Sequence, residues 1–380
     1  DESSSRVEGC LSALGTVETG PAKAIESDYF DTFDWRLFGA GLSLCRQGPS
    51  LVLHDHGRGK AIAEFRGDLP SGFASDFPTG RLRKRVADVI DVRRLLARVT
   101  LVSKQTPMTL RDKEGKAVLR LALERVKARE PGKARAVSLG TRLTVAAVRG
   151  YDKMEVKARR RLDREFSALA ETAPLHVEGM AAIGVTAGDY SSKLRLALDA
   201  GMPAGEAARH IHLTLLETMA RNEKGSAAAI DPEYLHDFRV AVRRTRSALG
   251  QVDKGVLPDA VIAKAKRDFR WIGQQTNHMR DIDVYLLDYP KLRATLPAAY
   301  EAHLQPFHDY LADQSRSEVK KVAAMLRGKR YRRIRDEWRG YLTAESETAE
   351  QGELAELPIQ QLADRRIWKV YRLVMKEGGA

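Results

Sequence analysis

Near Tyr151 the hydrophobic pattern of the sequence changes period, and a chain with two periods must build two kinds of layer. Upstream, LVLH at 51–54, MTL and AVLRLALERVK on either side of RDKEG at 111–115, and RLTVAAV at 142–148 read as short strands, with RDKEG as a hairpin turn. Downstream, YDKMEVKARRRLDREFSALAE opens a helical regime. Its surface charges are self-paired at four-residue spacing: Glu155 with Arg159, Arg159 with Asp163, Arg161 with Glu165. After a looser stretch at 173–192, helices are predicted over 203–222, 232–250, 258–288, 296–326, 328–344 and 354–376, separated by Gly, Pro and Asn. The expected fold class is α+β. An antiparallel sheet with a few helices occupies 1–150, a helical linker 151–190, and an all-α bundle 191–380.

With 380 residues the chain can form two or three domains with proper cores. Its formal net charge is +13 and its pI about 9.7, so polyanions are the favoured partners: nucleic acid, an anionic membrane surface or polymeric phosphate. Two cysteines, Cys10 and Cys45, make no disulfide framework, and the nine histidines and two cysteines show no metal-ligand spacing. No run approaches the ~20 apolar residues of a membrane span, and DESSSRVEGC lacks a signal core. A cytoplasmic protein without a membrane partner is the expectation. The absence of an initiating Met and the ending KEGGA suggest a fragment.

The segment HDFRVAVRRTR at 236–246 directs the argument to one helix. Asp231-Pro232-Glu233 supplies an N-cap acid, a proline at the first helical position and an acid in the first turn. At 100° per residue, Leu235, Phe238, Ala241, Val242, Thr245, Ala248 and Leu249 share a broad apolar face, with His236, Arg239, Arg243 and Arg246 on a stripe beside it. Solvated faces usually carry acids three or four residues from their bases, worth roughly 0.2–0.5 kcal/mol per pair. Arg239, Arg243 and Arg246 have none at those offsets. The stripe repels itself unless something anionic sits on it. An ordinary solvated charged face is the competing reading.

In RGKRYRRIRDEWRG at 327–340, Arg332 and Arg333 have Asp336 and Glu337 within a turn, so an ordinary surface is expected there. In ADRRIWKVYRLVMK at 363–376, Arg365, Lys369, Arg372 and Lys376 form a second uncompensated stripe opposite Ile367, Val370, Tyr371 and Val374. Set side by side, the two stripes would make a groove for a linear polyanion. In RWIGQQTNHMRDIDVYL at 270–286, Asp281 and Asp283 follow Arg280. They are expected to hold Arg280 and nearby bases by charge-assisted hydrogen bonds rather than to bind metal.

LHDFRVAVRRTRSAL, followed about thirty residues later by FRWIGQQTNHMRDIDVYL, resembles the CHAD family, and RRIWKVYRLVMKEG is similar to its middle region. The likeness runs from about residue 185 to the end. It implies a helical bundle of two similar halves that binds inorganic polyphosphate on a basic surface, and it carries that role to His236, Arg239, Arg243, Arg244, Arg246 and Arg280. Arg365, Lys369, Arg372 and Lys376 are added from helical arithmetic alone. No further His-x-x-Arg helix follows, so the CHAD-like domain is expected to be truncated at its C-terminus.

Residues 27–48, SDYFDTFDWRLFGAGLSLCRQG, resemble the early part of a CYTH domain, carried by Tyr29-Phe30-Asp31-Thr32 and Gly41-Leu42-Ser43-Leu44, with VRGYDK at 148–153 like its exit. The resemblance implies an antiparallel β tunnel, N-terminally incomplete here, whose active members hydrolyse triphosphate with Mg²⁺ or Mn²⁺. That chemistry needs carboxylates for metal and several bases for phosphate. The Glu-x-Glu-x-Lys strand is absent, the arginine-rich strand is reduced to Ser43-Leu44-Cys45-Arg46, and His54-Asp55-His56 stands where a lysine belongs. Arg46, Arg66, Arg120 and Glu124 remain as scattered candidates, so no catalytic residue is assigned.

Three functions follow. The first is capture of polyphosphate without a cofactor, in the cytoplasm and on polyphosphate granules, using arginine forks that match two phosphate oxygens. His236 would then tighten binding as pH falls, or it simply bonds a backbone carbonyl in the bundle. The second is a metal-dependent triphosphatase with the helical domain as substrate trap. The third is non-specific, steeply salt-dependent nucleic-acid binding, disfavoured because aromatics are 7% and largely spent on apolar helix faces.

Overall fold

Strands that alternate apolar and polar residues have one face to bury, and those of the N-terminal half pair into a single antiparallel sheet. The computed structural model describes residues 2–67, 71–166, 173–344 and 351–377, and the chain divides into two compact units, 1–190 and 191–380. In the first, α1 (Glu2–Leu11) precedes β1 (Thr16–Thr19), β2 (Lys23–Asp31), the short α2 (Arg36–Gly39), β3 (Leu42–Gln47), β4 (Ser50–Asp55) and β5 (Lys60–Arg66). Then come α3 (Arg81–Ile90), three long strands β6 (Leu96–Arg111), β7 (Ala117–Arg129) and β8 (Ala136–Ala147), and α4 (Asp152–Phe166) and α5 (Leu175–Ala182). The sheet order is β5-β4-β3-β2-β6-β7-β8, with β1 on β6 beyond the end of β2.

The expected hairpin is present. Asp112 accepts from the Glu114 and Lys116 amides at 3.1 and 2.9 Å, and Gly115 turns the chain at φ 77°. The expected closure into a tunnel is not: the sheet is open, running from β5 to β8 without a pairing between them among the described residues. Helices cover it instead. Val7 and Leu11 of α1 and Ala158 and Leu162 of α4 pack with Met108, Leu119 and Leu121 of the sheet. At α5, a Cβ on Gly179 would come within 2.6 Å of Leu101, so only glycine lets the helix lie this close to β6. Both α4 and α5, from the segment read as a linker, thus pack on the sheet; residues 167–171 of the predicted helix lie outside the described residues. The Glu155–Arg159 pair forms at 2.8 Å.

The second unit is all helical among its described residues: α6 (Ala204–Ala227), α7 (Pro232–Gln251), α8 (Asp259–Ala294), α9 (Ala298–Arg327), α10 (Lys329–Thr343) and α11 (Ile359–Glu377). Chain neighbours α6 to α9 pack pairwise, α6 also packs on α9, and α10 lies against α6, α8 and α9. Phe238, Phe269, Ile272, Tyr331 and Trp338 occupy the middle. Within this core His212 Nε2 lies 2.6 Å from Asp253 Oδ2, both side chains almost wholly buried. Helix α6 continues five residues past its predicted end because small residues there admit a neighbour. A Cβ at Gly225 would lie 2.0 Å from the Tyr234 ring. Gly225→Ala should therefore lower unfolding free energy by about 1–3 kcal/mol through overpacking. An unchanged urea midpoint would mean the ring swings aside freely.

Candidate anion-binding groove

Helix α7 begins as its sequence dictates. The Asp231 side chain accepts from the Glu233 and Tyr234 amides at 3.0 and 3.3 Å, and Pro232 takes the first turn. Its apolar face is buried as expected, Ala248 only partly, which fixes the azimuth of the cationic stripe. That stripe meets α8 in antiparallel register. Arg239 Nη1 donates to Gly273 O, Thr276 Oγ1 and Asn277 Oδ1 at 3.1, 2.8 and 2.9 Å. Arg239 is therefore first a tie between two helices, and burial draws its pKa down.

On one side of this tie, Arg243, Arg246 and Ser247 of α7 and Lys266, Arg267 and Arg270 of α8 line a groove of about 470 Å³. Among the described residues its lining holds five cations and no acid. Asp268, next in sequence to Arg267, is turned away and holds Lys264 at 2.9 Å, with Glu337 on the same ammonium at 2.8 Å. Among the described residues none of the five cations makes an ion pair. On the other side of the tie, His236 and Arg280 stand close enough to influence each other, with Glu233, Asp237 and Arg243 also acting on the imidazole. From Lys266 to Arg280 the basic face of α8 covers fifteen residues, or about 21 Å of rise.

Residues 210–380 match the model of the CHAD domain family. The helical unit carries a CHAD domain. No curated protein matches the chain significantly. A crystal structure of the CHAD domain from the plant Ricinus communis aligns at 25% identity over 48% of this chain, with a TM-score of 0.39; the chain spans 58% of that structure's length.

Within the CHAD domain the ten residues proposed from sequence separate into several settings. Arg243 and Arg246 line the groove, His236 and Arg280 lie beyond the tie, and Arg239 forms it. Arg244, about 100° around α7 from the stripe, donates instead to Ser192 O at 2.9 Å. Lys266, Arg267 and Arg270 escaped the sequence reading. The same test would have found them, since no acid lies three or four residues from any of them. The bonds expected from Asp281 and Asp283 to Arg280 are absent among the described residues. Asp283 is buried with its Oδ2 unpartnered, as is Nη1 of Arg280, so acid and base act through their fields rather than by contact.

Arg365, Lys369, Arg372 and Lys376 are exposed on α11, which reaches α6 through Leu362 and does not line the groove. Ile367, Val370, Tyr371 and Val374, opposite them, are 51–65% exposed, so the apolar face that would have docked this helix beside α7 is uncovered. Arg333 lies 3.9 Å from Glu337, an ordinary surface pair.

In the sheet unit, Arg46 is held by Asp28 at 2.6 Å on β3, Arg66 lies 3.8 Å from Glu64 on β5, and Arg120 and Glu124 stand on β7, beyond β2 and β6. They do not converge. Among the described residues no three His, Cys, Asp or Glu side chains gather to hold a metal. The ring of His56 stacks on His176, and His176 on Tyr29, at centroid distances of 5.3 and 4.8 Å. Cys10 and Cys45 are free thiols. Among the described residues no helix is long and apolar enough to cross a membrane.

Proposed function

We propose that the helical unit binds inorganic polyphosphate along the α7–α8 face, without a cofactor. The observation that carries this reading is the acid-free groove of Arg243, Arg246, Lys266, Arg267 and Arg270. Four guanidinium forks and an ammonium suit a ligand with anionic oxygens on every unit, because each fork can meet two oxygens at once. Arg239, fixed on α8, holds the two rows of cations at a constant separation. The likeness to CHAD domains supports the same ligand, and a cytoplasmic place on polyphosphate granules is proposed from that likeness alone.

For the N-terminal unit, the antiparallel strand order supports reading it as a degenerate CYTH-like domain. We give it no catalytic part, since Arg46, Arg66, Arg120 and Glu124 are dispersed over the sheet.

Nucleic acid offers phosphates at wider intervals and demands stacking surfaces for its bases, and among the described residues the groove lining contains no aromatic ring. In competition between long-chain polyphosphate and single-stranded DNA, polyphosphate should displace DNA at a phosphate concentration at least about tenfold below that needed for the reverse. Displacement at equal phosphate would reduce the site to a general basic surface.

A further inference from the structure

The end of the α7–α8 face beyond Arg239 differs from the groove in one respect: its cations are mixed with groups that can change charge near neutral pH. His236 is half-buried and makes no hydrogen bond among the described residues. Arg280 is half-buried with an unpartnered Nη1. Asp283, one turn along α8 from Arg280, is 7% exposed and its Oδ2 is buried without a partner. An ionised carboxylate in that position is costly, since among the described residues no donor reaches the buried oxygen.

We propose that anion capture by this face is proton-coupled, with His236 and Asp283 each taking up a proton when a phosphate chain settles against Arg280. The inference rests on the polyphosphate reading and adds its regulation. The electrostatics point one way at both groups. Burial pushes Asp283 up to about 7, against the attraction of Arg280 and with the help of Glu233. Burial also draws His236 below its ordinary value, and Arg280 and Arg243 add to this while Glu233 and Asp237 oppose it. A phosphate chain beside them adds negative charge, which favours the acid form of Asp283 and the imidazolium of His236 alike.

The other elements packed on α8 direct their charges elsewhere. Helix α9 sets Glu318 on His278 and Lys321, and His308 on Tyr289, each contact on α8 more than one turn from Asp283. From α10, Glu337 meets Lys264, and from α6, Glu223 is engaged by Tyr331 and Arg335.

The sign follows. At mildly alkaline pH the free site has an ionised Asp283 and a neutral His236, whereas the occupied site is protonated at both; affinity therefore falls as pH rises. Between about pH 6.5 and about pH 8 the loss should be roughly tenfold or more.

Calorimetric titration of the full chain with long-chain polyphosphate, in two buffers of different ionisation enthalpy near neutral pH, counts the protons directly. The wild type should take up about one to two protons per site, His236→Gln and Asp283→Asn each fewer, and the double variant close to none. Binding without proton uptake by the wild type overturns the proposal, as does an undiminished count in the double variant. His236→Gln, at a half-buried position, keeps the comparison open if the buried Asn prevents folding. Absence of binding at every pH is a separate outcome and overturns the polyphosphate reading itself.

Discussion

A chain carrying Arg243→Ala, Arg246→Ala, Arg267→Ala and Arg270→Ala is expected to bind long-chain polyphosphate roughly 10²–10³-fold more weakly than the wild type. A charge-assisted hydrogen bond contributes about 1.5–3 kcal/mol between well-desolvated partners. Solvent at exposed side chains reduces this to about 1 kcal/mol or less. Four such losses sum to roughly 3–4 kcal/mol, which is the stated range in Kd. The control is Arg332→Ala/Arg333→Ala on α10, where Arg333 already has Glu337 as partner. It removes positive charge without touching the groove and should change Kd by no more than about threefold. Arg239→Ala is a third class. It removes three bonds to α8, so thermal stability and affinity should fall together, whereas the groove variants lose affinity alone. Equal losses from the four groove arginines and from the α10 pair would show that net charge, not the groove, governs binding.

The second large effect concerns the sheet unit in acid. His176 of α5 is buried between Tyr29 and His56, and burial, with His56 and His54 adding to it, lowers its pKa to about 4. A base whose folded pKa lies below its unfolded value near 6.5 contributes stability that is complete above about pH 6.5. That contribution is lost as pH falls through the window from 6.5 to about 4, by roughly 3 kcal/mol in all. Asp31 works in the opposite sense. Its burial raises it to about 6, although the Phe38, Leu37 and Thr32 amides bond it, so the protonated form it favours gains ground over part of the same window. The His176 effect is therefore read as a difference. Urea unfolding of wild type and His176→Phe, followed by exchange protection of the β6 and β7 amides, should show the wild type losing about 3 kcal/mol relative to the variant between neutral pH and about pH 4. Parallel pH profiles would mean the imidazole stays neutral in the unfolded chain or is solvated in the folded one.

Much of this was legible in the sequence, and the divisions have physical causes. The helices of the second unit announce themselves through their caps and period: Asp231-Pro232 starts α7, and its buried face is the predicted one. Helix α8 runs past its predicted end at 288 and through Pro290 to Ala294, with Tyr289 buried against His308. The uncompensated stripe on α7 was visible because its missing acids can be counted along one helix. Its true partner was not, since adjacency of two faces is a tertiary fact. Periodicity offered α11 as readily as α8, and only the packing shows Arg239 bonded across to Gly273, Thr276 and Asn277. In the sheet unit β3, β4, β7, β8 and the hairpin that ends β6 were readable, while β1, β2, β5 and the openness of the sheet were not. Closure depends on edges meeting, and nothing local to β5 or β8 encodes whether they do.

The five cations of the groove repel one another in the free chain, and no acid on the lining offsets them. Folding brings them together, whereas the unfolded chain keeps them apart, so an empty groove lowers the melting temperature of the helical unit. An occupying polyanion removes that penalty and adds its own mass action, about 2.7 kcal/mol when free ligand stands at a hundred times Kd. On the polyphosphate reading proposed above, the heat resistance of this unit would be set jointly by its apolar core and by the supply of phosphate chains around it.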